Sequence, residues 1–516
     1  MNRSNQKGIA LIMTLILVLV MSVMAVSLMF MSQSETWSSL NYRLMSQSRD
    51  GAEAGINSAA NYIVNTYTQP GGTGDPITGV YNTAVSPVQN SPTATSGHDV
   101  ILTTISGHTS NYPVSSVATA FNTSGVGKGS VTAGNLTINY NAEATLLSMH
   151  SAFKPFGSDT NQTVQTWKIV SDGSISSIRN AKVEVSAILE RHLTPTFNYA
   201  AFAESNNCDA LKFGGGGITN SYDSTTYSGS GPVSFSPTDG NVGTNGNLDT
   251  LGAGTVINGD LFTPRTGTGT CTSSNITAWS TSGGTYGTIV PLPQPIIYPP
   301  PSAPNPMPGT TSITLNNKAT DCGGVNGCSY GVPNCTAGEF CLAPGTCPPA
   351  VGGPGIYDNI IAKGNVHLMT AALGTKACYN INSLSENGGG TLKIDSGPVI
   401  VNIAGAGTIP GGGYPFDITG GGIINSASPP FSPMTFQLLY GGTGTIKLKG
   451  GGSAIGVMYA PNAPYSFGGG GDWYGSIIGG QLTDMGGTSI HYDRHLANSG
   501  FTVGNWMLDS FTWKKY

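Results

Sequence analysis

The hydrophobic pattern sets the amino end apart from the rest of the chain. Residues Ile9 to Ser34 form a 26-residue run without a charged side chain, and Arg3 and Lys7 precede it. The strongly apolar part, Ile9 to Met31, corresponds to about 34 Å of helix at about 1.5 Å per residue, more than the roughly 30 Å of a bilayer's hydrocarbon core. The pattern predicts a membrane-spanning helix whose amino end stays in the cytoplasm, because the basic residues lie on that side.

Helical periodicity continues beyond the apolar run. Apolar residues recur at helical spacing from Leu40 to Ile63, with charged and amide side chains on the other faces. One helix is therefore expected over residues 9–67, apolar first and amphipathic afterwards. Such a helix anchors a subunit in the membrane and then packs among equivalent helices in a filament. A plain membrane-anchored stalk is the alternative.

A period of two residues appears in the next region. The alternating segments are Leu136 to Tyr140, Trp167 to Ser171 and Ala181 to Glu190. Alternation predicts strands with one solvated face. Together with the amphipathic half of the helix, these strands predict an α+β body over residues 68–194.

Short apolar runs separated by glycine turns follow this body. Residues 195–290 are predicted to be a Gly- and Asn-rich β region, and residues 291–350 a proline-rich strap with a cysteine-rich loop. Gly450 to Phe467 and Gly468 to Met485 are successive units of about 18 residues, each with glycines before an apolar core. No such unit buries its apolar face alone, so residues 351–516 predict a large all-β domain of β-solenoid type. A β-sandwich is the alternative.

Composition agrees with a glycine-rich β protein. The 516 residues include 74 glycines and 32 prolines, and only 9% are charged, against roughly a quarter in ordinary soluble domains. Helices covered with surface ion pairs therefore cannot dominate the fold. The formal charge of −5 provides no basic footprint, so no nucleic acid partner is expected.

The cysteines indicate an oxidising compartment. Their number is even, and none forms a Cys-x-x-Cys pair, which favours disulfides outside the cytoplasm over a zinc site. Eight cysteines allow 105 pairings, so the connectivity is left open. The disulfide candidates are Cys208, Cys271, Cys322, Cys328, Cys335, Cys341, Cys347 and Cys378.

The amino-terminal motifs resemble a known family. Lys7-Gly8-Ile9-Ala10-Leu11 and the stretch from Arg49 to Gly55 are similar to the amino-terminal region of PilX-type minor pilins of type IV pili. The resemblance implies that residues 1–8 are a leader, which prepilin peptidase removes after Gly8 so that Ile9 becomes the amino terminus. It also implies an inner-membrane stage before assembly, an extracellular pilus afterwards, and other major and minor pilins as partners of the helix.

Position 13 departs from the pattern of major pilins. Their fifth residue after cleavage is Glu, whose carboxylate neutralises the terminal amine of a neighbouring subunit, whereas this chain has Met13. A carboxylate in lipid is costly without a partner. Met13 therefore favours a subunit at the tip or in the initiation complex; the alternative is that PilX-like proteins tolerate any apolar residue at this position. The bulk of the exported part favours the tip as well, with assembly and adhesion as its role and a tip adhesin as a further partner.

The carboxy-terminal region also resembles a known type of domain. Tyr459 to Ala463, Gly470 to Gly475 and Ile490 to Asp493 are similar to an uncharacterised domain often fused to PilX-type amino termini. That domain has no established activity, so the resemblance supports the architecture and leaves the chemistry open.

Candidate chemistry is sparse. Strand alternation would place His491, Asp493 and His495 on one face, where they could bind a metal or transfer a proton; a polar closing coil is the favoured interpretation. Asp472 and Trp473 are further ligand candidates, with core packing favoured for the indole.

No catalytic residues are assigned, because the acidic residues of the repeat region are isolated from one another, and an enzyme is not expected. Asn-Gly and Asp-Gly pairs between Asp239 and Asn247 could supply oxygens to Ca²⁺, but turn chemistry accounts for them without a cofactor. The alternative functions are a self-associating surface protein and, least favoured, a glycan-acting enzyme.

Overall fold

The computed structural model describes residues 6–91, 97–133, 135–158, 161–176, 180–227, 229, 232–252, 254–281, 283–323, 325–332, 335–372, 374–386, 388–484 and 486–515. The first five residues of the expected leader and Met485 of the second repeat lie outside the described residues. The chain forms two compact units: Met1–Phe153, Thr163–His192 and Trp506–Tyr516 make the amino-terminal unit, and Lys154–Gln162 with Leu193–Asn505 make the stacked unit. A long helix is followed by a large all-β part, as the sequence predicts.

The amino-terminal unit combines a long helix with an antiparallel sheet. Its sheet has the strand order β1-β3-β4-β5-β30, with β2 also paired to β3. Its elements are α1 Gln6–Asn65, β1 Ile101–Thr103, α2 Ser115–Phe121, β2 Lys128–Ala133, β3 Leu136–Phe153, β4 Gln162–Ile175 and β5 Ala181–Pro195, together with the end of β30 Phe501–Lys515.

The carboxyl half of α1 covers the apolar face of this sheet. Ala52, Ile56 and Ile63 of the helix are buried in one cluster with Trp167 and Val185 of β4 and β5. The amphipathic half of the helix and the alternating strands therefore form one core, and the apolar half of the helix is left outside it.

Small residues set the distance between α1 and the sheet. A Cβ atom added at Gly51 would overlap Ile138 of β3, and one added at Gly173 of β4 would overlap the carbonyl oxygen of Ser48 in α1. The glycine- and alanine-rich stretch of residues 51–55 is thus required by close packing. This requirement gives the sequence motif a structural explanation.

We expect Gly173→Ala to destabilise the amino-terminal unit by about 1–3 kcal/mol, because the new methyl group must displace helix backbone. Thermal unfolding of the full chain in detergent micelles would measure the loss. Gly72→Ala is the matched control, since no atom lies within 4 Å of its added Cβ. Equal stability of the two variants would contradict the packing argument.

The carboxyl end of the chain returns to the amino-terminal unit. Residues 506–516 belong to that unit, and Thr512 Oγ1 lies 2.6 Å from Ser186 Oγ of β5. The sequence placed these residues in the domain 351–516, because their alternation alone does not say which sheet they join. Residues 195–290, expected to be a separate region, belong to the same unit as the repeats.

The stacked unit consists mainly of short strands. They are β6 Ala201–Ala203, β7 Leu211–Phe213, β8 Ile218–Tyr222, β9 Val242–Thr244, β10 Leu248–Thr250, β11 Val256–Ile257, β12 Leu261–Thr263, β13 Trp279–Thr281, β14 Ile289–Pro291, β15 Ser312–Leu315, β16 Cys328–Val332, β17 Cys335–Leu342, β18 Ile356–Ala362, β19 Asn365–Leu368, β20 Ala377–Glu386, β21 Leu392–Ile394, β22 Val399–Ile403, β23 Phe416–Ile418, β24 Ile423–Asn425, β25 Phe436–Tyr440, β26 Ile446–Leu448, β27 Ala454–Phe467, β28 Asp472–Asp484, β29 Ser489–Asp493 and the start of β30. Short 3₁₀ helices occupy Ser224–Thr226, Ala319–Cys322, Pro433–Thr435 and Arg494–Asn498.

Strands of successive repeats pair in parallel and in register. Ala454 faces Trp473, and Phe467 faces Asp484, which aligns the two predicted repeat units along β27 and β28. The alignment places like side chains above one another, so that the core consists of buried columns. One column contains Tyr379, Val401, Leu438, Met458, Ile477, Ala201, Val242 and Leu261. A second column contains Leu384, Phe416, Ile446, Tyr465, Leu482, Leu211 and Leu248.

The order of strands in the stack differs from their order in the chain. β28 pairs with β6 and β7, and β29 pairs with β8, so the last repeats are continued by the first strands of this unit. The stack then runs through β9 and β12 to β14. Since β15 pairs with β18 in the early repeats, the proline-rich segment must link opposite ends of the stack.

Hydrogen bonds hold the proline-rich strap along the stack. Four side chains donate hydrogen bonds to backbone carbonyl oxygens of the strap. In order along the strap they are Asn245 to Ile296, Tyr459 to Pro299, Asn380 to Pro306 and Asn359 to Thr310. The partners lie progressively further along the stack. At about 3.1 Å per residue, the fourteen steps from Ile296 to Thr310 reach about 43 Å. Seven strand spacings of about 4.8 Å, from β9 to β18, need about 34 Å.

Four disulfides join all eight cysteines. The pairs are Cys208–Cys271, Cys322–Cys328, Cys335–Cys341 and Cys347–Cys378. The prediction of a disulfide-stapled chain is confirmed, and the structure supplies the pairing that spacing could not.

Candidate functional site

The expected processing site lies at the start of α1. Lys7, Gly8 and Ile9 are all helical, and the side chain of Ile9 is 61% exposed. Met13 follows one turn later and is 68% exposed. From Ile9 to Met31 every large apolar side chain is exposed, and by length and composition α1 is able to cross a membrane. This part of the helix can therefore bury apolar surface only in lipid or against other helices.

The polar residues predicted near the end of the repeat region do not form one cluster, and they lie in the interior of the stack because β29 pairs with both β28 and β8. His491 Nδ1 lies 2.6 Å from Asn220 Oδ1, and its Nε2 lies 3.5 Å from Asp472 Oδ1. Asp493 is buried and accepts hydrogen bonds from the backbone N–H and the hydroxyl group of Ser224. His495 belongs to a 3₁₀ helix, because β29 ends at Asp493 and the strand alternation ends with it.

Electrostatics also separate His491 from Asp493. Burial lowers the pKa of His491, although the charge and hydrogen bond of Asp472 act in the opposite direction. Burial raises the pKa of Asp493 against the effect of its hydrogen bonds to Ser224. His491 and Asp493 are thus each engaged with different partners. Within the described part of the chain, no group of three or more His, Cys, Asp or Glu side chains could hold a metal ion.

Asp472 and Trp473 face opposite sides of β28. Trp473 is only 3% exposed and packs in the core, where its neighbours in register are Ala454 and Ile490. The Asp472 side chain is 44% exposed. Only the carboxylate is thus placed to meet a ligand from solution.

The Asn-Gly turns have internal partners. The Asn245 side chain donates to the carbonyl oxygens of Glu204 and Ile296 and accepts from the N–H of Ile296. The Asn247 side chain donates to the Thr277 carbonyl oxygen. These bonds fix the loops and the strap, which is a structural role for the amides.

An aromatic cluster, which the sequence analysis missed, surrounds His491. Phe235 stacks on the imidazole with ring centroids 4.2 Å apart, and the ring of Tyr474 lies 4.7 Å from it. Phe431 contacts Tyr474 from another loop at 5.2 Å. Phe235 and Phe431 lie in irregular loops, so no periodicity could place them beside β28 and β29.

A second polar cluster lies on the parallel strands next to the cysteine-rich hairpin. His367 Nδ1 lies 2.8 Å from Asp395 Oδ2, and its Nε2 lies 3.4 Å from Glu339 Oε1. Lys393 donates to Glu339 and holds the pKa of that carboxyl well below its usual range, with a further hydrogen bond from Asn365. Neighbouring strands here are aligned at intervals of 26 residues, which places Cys341, His367 and Lys393 in register. A repeat of 26 residues is the signal in the sequence that would have predicted this cluster.

We expect the contribution of His367 to stability to depend on pH. Burial alone would lower its pKa, but hydrogen bonds and charges from Asp395 and Glu339 outweigh burial and raise the pKa above 6.5. The stabilisation is therefore complete below about pH 6.5 and is lost as pH rises through the folded-state pKa. The melting temperature should fall more for His367→Gln at pH 6 than at pH 9. A difference that grows with pH would contradict this assignment.

The comparisons with known proteins agree with the amino-terminal motifs. Residues 7–57 match the PilX N-terminal family, and residues 383–499 match a domain of unknown function. No curated protein matches the sequence. Among solved structures, the chain is similar to the crystal structure of the competence-associated pilin ComZ from Thermus thermophilus, with 13% identity, 75% of this chain and 86% of that chain covered, and a TM-score of 0.27.

Both resemblances stated from the sequence are confirmed. The match covers the apolar run of α1, which by length and composition is able to cross a membrane. The chain thus carries a PilX N-terminal domain at residues 7–57 and a domain of unknown function at residues 383–499.

Proposed function

We propose that this protein is a minor pilin, cut by prepilin peptidase between Gly8 and Ile9 and assembled through α1 into a type IV pilus. One observation carries the proposal: the match to the PilX N-terminal family covers residues 7–57, from the expected cleavage site through the apolar and amphipathic parts of the helix. The exposed apolar residues of α1 support it, because lipid before assembly and neighbouring pilin helices afterwards provide the burial they lack.

We further propose a position at the tip or in the initiation complex. Met13 leaves the helix without the carboxylate that would pair with a neighbour's terminal amine. The stacked unit adds more than 300 residues beyond the amino-terminal unit. A domain of that size repeated along a tightly packed shaft would cover its surface, whereas one copy at the end has room.

We propose that the stacked unit is a β-solenoid that presents a surface for adhesion. Parallel, in-register pairing of successive repeats and the buried columns favour a solenoid over a sandwich, because a sandwich buries side chains between two facing sheets. The four disulfides suit exposure outside the cell, where thiols are oxidised.

Immunogold labelling of an epitope in the stacked unit, on sheared and washed pili, tests the position. We expect label at one end of each filament for wild type and for the conservative variant Met13→Leu. Label scattered along the shaft would contradict the tip position. Absence of label from the pili, with the protein retained in the membrane fraction of the same cells, would contradict the pilin assignment itself.

A further inference from the structure

We propose that Phe235, with His491 behind it and Asp472 beside it, forms a binding platform for an uncharged glycan. The inference rests on the proposed adhesive function and adds the ligand class and the residues. The observation behind it is an aromatic ring held flat on the outside of the stack. Phe235 is 44% exposed although one of its faces stacks on an imidazole.

The ring beneath Phe235 is fixed in its plane. His491 belongs to β29, and its two nitrogens contact Asn220 Oδ1 at 2.6 Å and Asp472 Oδ1 at 3.5 Å. The rings of Phe235 and His491 are only 21° from parallel. Because the imidazole is held at both edges, the phenyl ring on it has a defined orientation with its outer face in solvent.

The loop that carries Phe235 is fixed as well. The next residue, Ser236, exchanges two backbone hydrogen bonds with Ser221 of β8, at 2.8 and 3.1 Å. Its hydroxyl group lies 2.8 Å from that of Thr238. An exposed aromatic residue held in this way loses little conformational entropy when a ligand binds. The fixed orientation of Phe235 therefore favours a role in ligand binding.

The chemistry around the ring points to a sugar without charge. One face of a pyranose presents C–H groups, which pack on the electron-rich face of an aromatic ring, while hydroxyl groups project from its edge. The half-exposed carboxylate of Asp472 is an acceptor for such hydroxyl groups. Asp472 would repel an anionic ligand. The guanidinium group of Arg494 does not offset this repulsion, because it is paired with Asp239 at 3.9 Å.

Binding of the full chain, in detergent micelles, to an array of uncharged hexose and N-acetylhexosamine oligosaccharides tests the proposal. Sialylated and sulfated oligosaccharides and a phenyl-substituted resin are included for comparison. We expect binding to uncharged members, weakened about tenfold by Phe235→Ala, in line with the loss of one stacking contact. Phe235→Trp should retain binding, and Asp472→Asn should weaken it.

Phe501→Ala is the matched control, because Phe501 is an exposed phenylalanine elsewhere in the same unit. Three results would each overturn the inference. The first is binding that survives Phe235→Ala, and the second is binding only to acidic oligosaccharides. The third is Phe235-dependent capture by the phenyl resin without binding to any oligosaccharide. Pili of the Phe235→Ala strain should still carry label at their ends. If wild type binds no glycan while its label stays at the ends, the glycan site fails and the pilin proposal stands.

Discussion

Replacing Phe416 with alanine should lower the free energy of unfolding of the stacked unit by about 3–5 kcal/mol. Phe416 is fully buried in a column between Leu384 and Ile446 of the neighbouring strands. Removing the ring loses its transfer free energy and leaves a cavity, because the strands above and below are fixed in register by backbone hydrogen bonds. Pulse proteolysis of the full chain in urea measures the change.

Two variants make this measurement specific. Phe416→Leu retains most of the volume and should cost less than about 1.5 kcal/mol. Phe501→Ala removes a ring that is 39% exposed from the same unit and should cost only about 1 kcal/mol. A Phe416→Ala protein as stable as Phe501→Ala would show that the columns are not the core of this unit.

Removing the disulfide between Cys208 and Cys271 should cost about 4 kcal/mol, the largest loss expected among the four bridges. The estimate follows from the sequence separation of 63 residues, because a longer closed loop removes more entropy from the unfolded chain. The bridge joins the β6–β7 connection to the β12–β13 connection, which lie two strand layers apart in the stack. Urea unfolding of the Cys208→Ser, Cys271→Ser double variant gives the value.

The bridge between Cys322 and Cys328 provides the comparison. Its separation is only 6 residues, so its removal should cost about 2 kcal/mol by the same relation. Both double variants keep the remaining three disulfides. If loss of the short bridge destabilised the protein more than loss of the long one, chain entropy would not be the source of the stabilisation.

The sequence predicts best where a pattern is long. The helix observed at Gln6–Asn65 matches the expected 9–67 closely, because the apolar run and the amphipathic run share one period. The three strands predicted by alternation lie within β3, β4 and β5. The predicted repeats lie side by side in β27 and β28, since glycines mark the corner of each unit.

The sequence patterns do not specify which strands pair when they are far apart in the chain. Alternation gives no partner strand, so neither the return of residues 506–516 to the first sheet nor the pairing of β6 with β28 could be predicted. The same limit applies to the candidate site. His491 was singled out with Asp493 and His495, whereas its contacts are with Asn220, Phe235 and Asp472, which are distant in sequence or on another strand.

The central claim is that α1 is trimmed at its glycine boundary and docked among other pilins, and the amino terminus of the assembled protein tests it most directly. Intact mass and terminal sequencing of the protein recovered from sheared, washed pili should give a chain that begins at Ile9. A chain in that fraction that begins at Met1, or the absence of this protein from purified pili, would contradict the account.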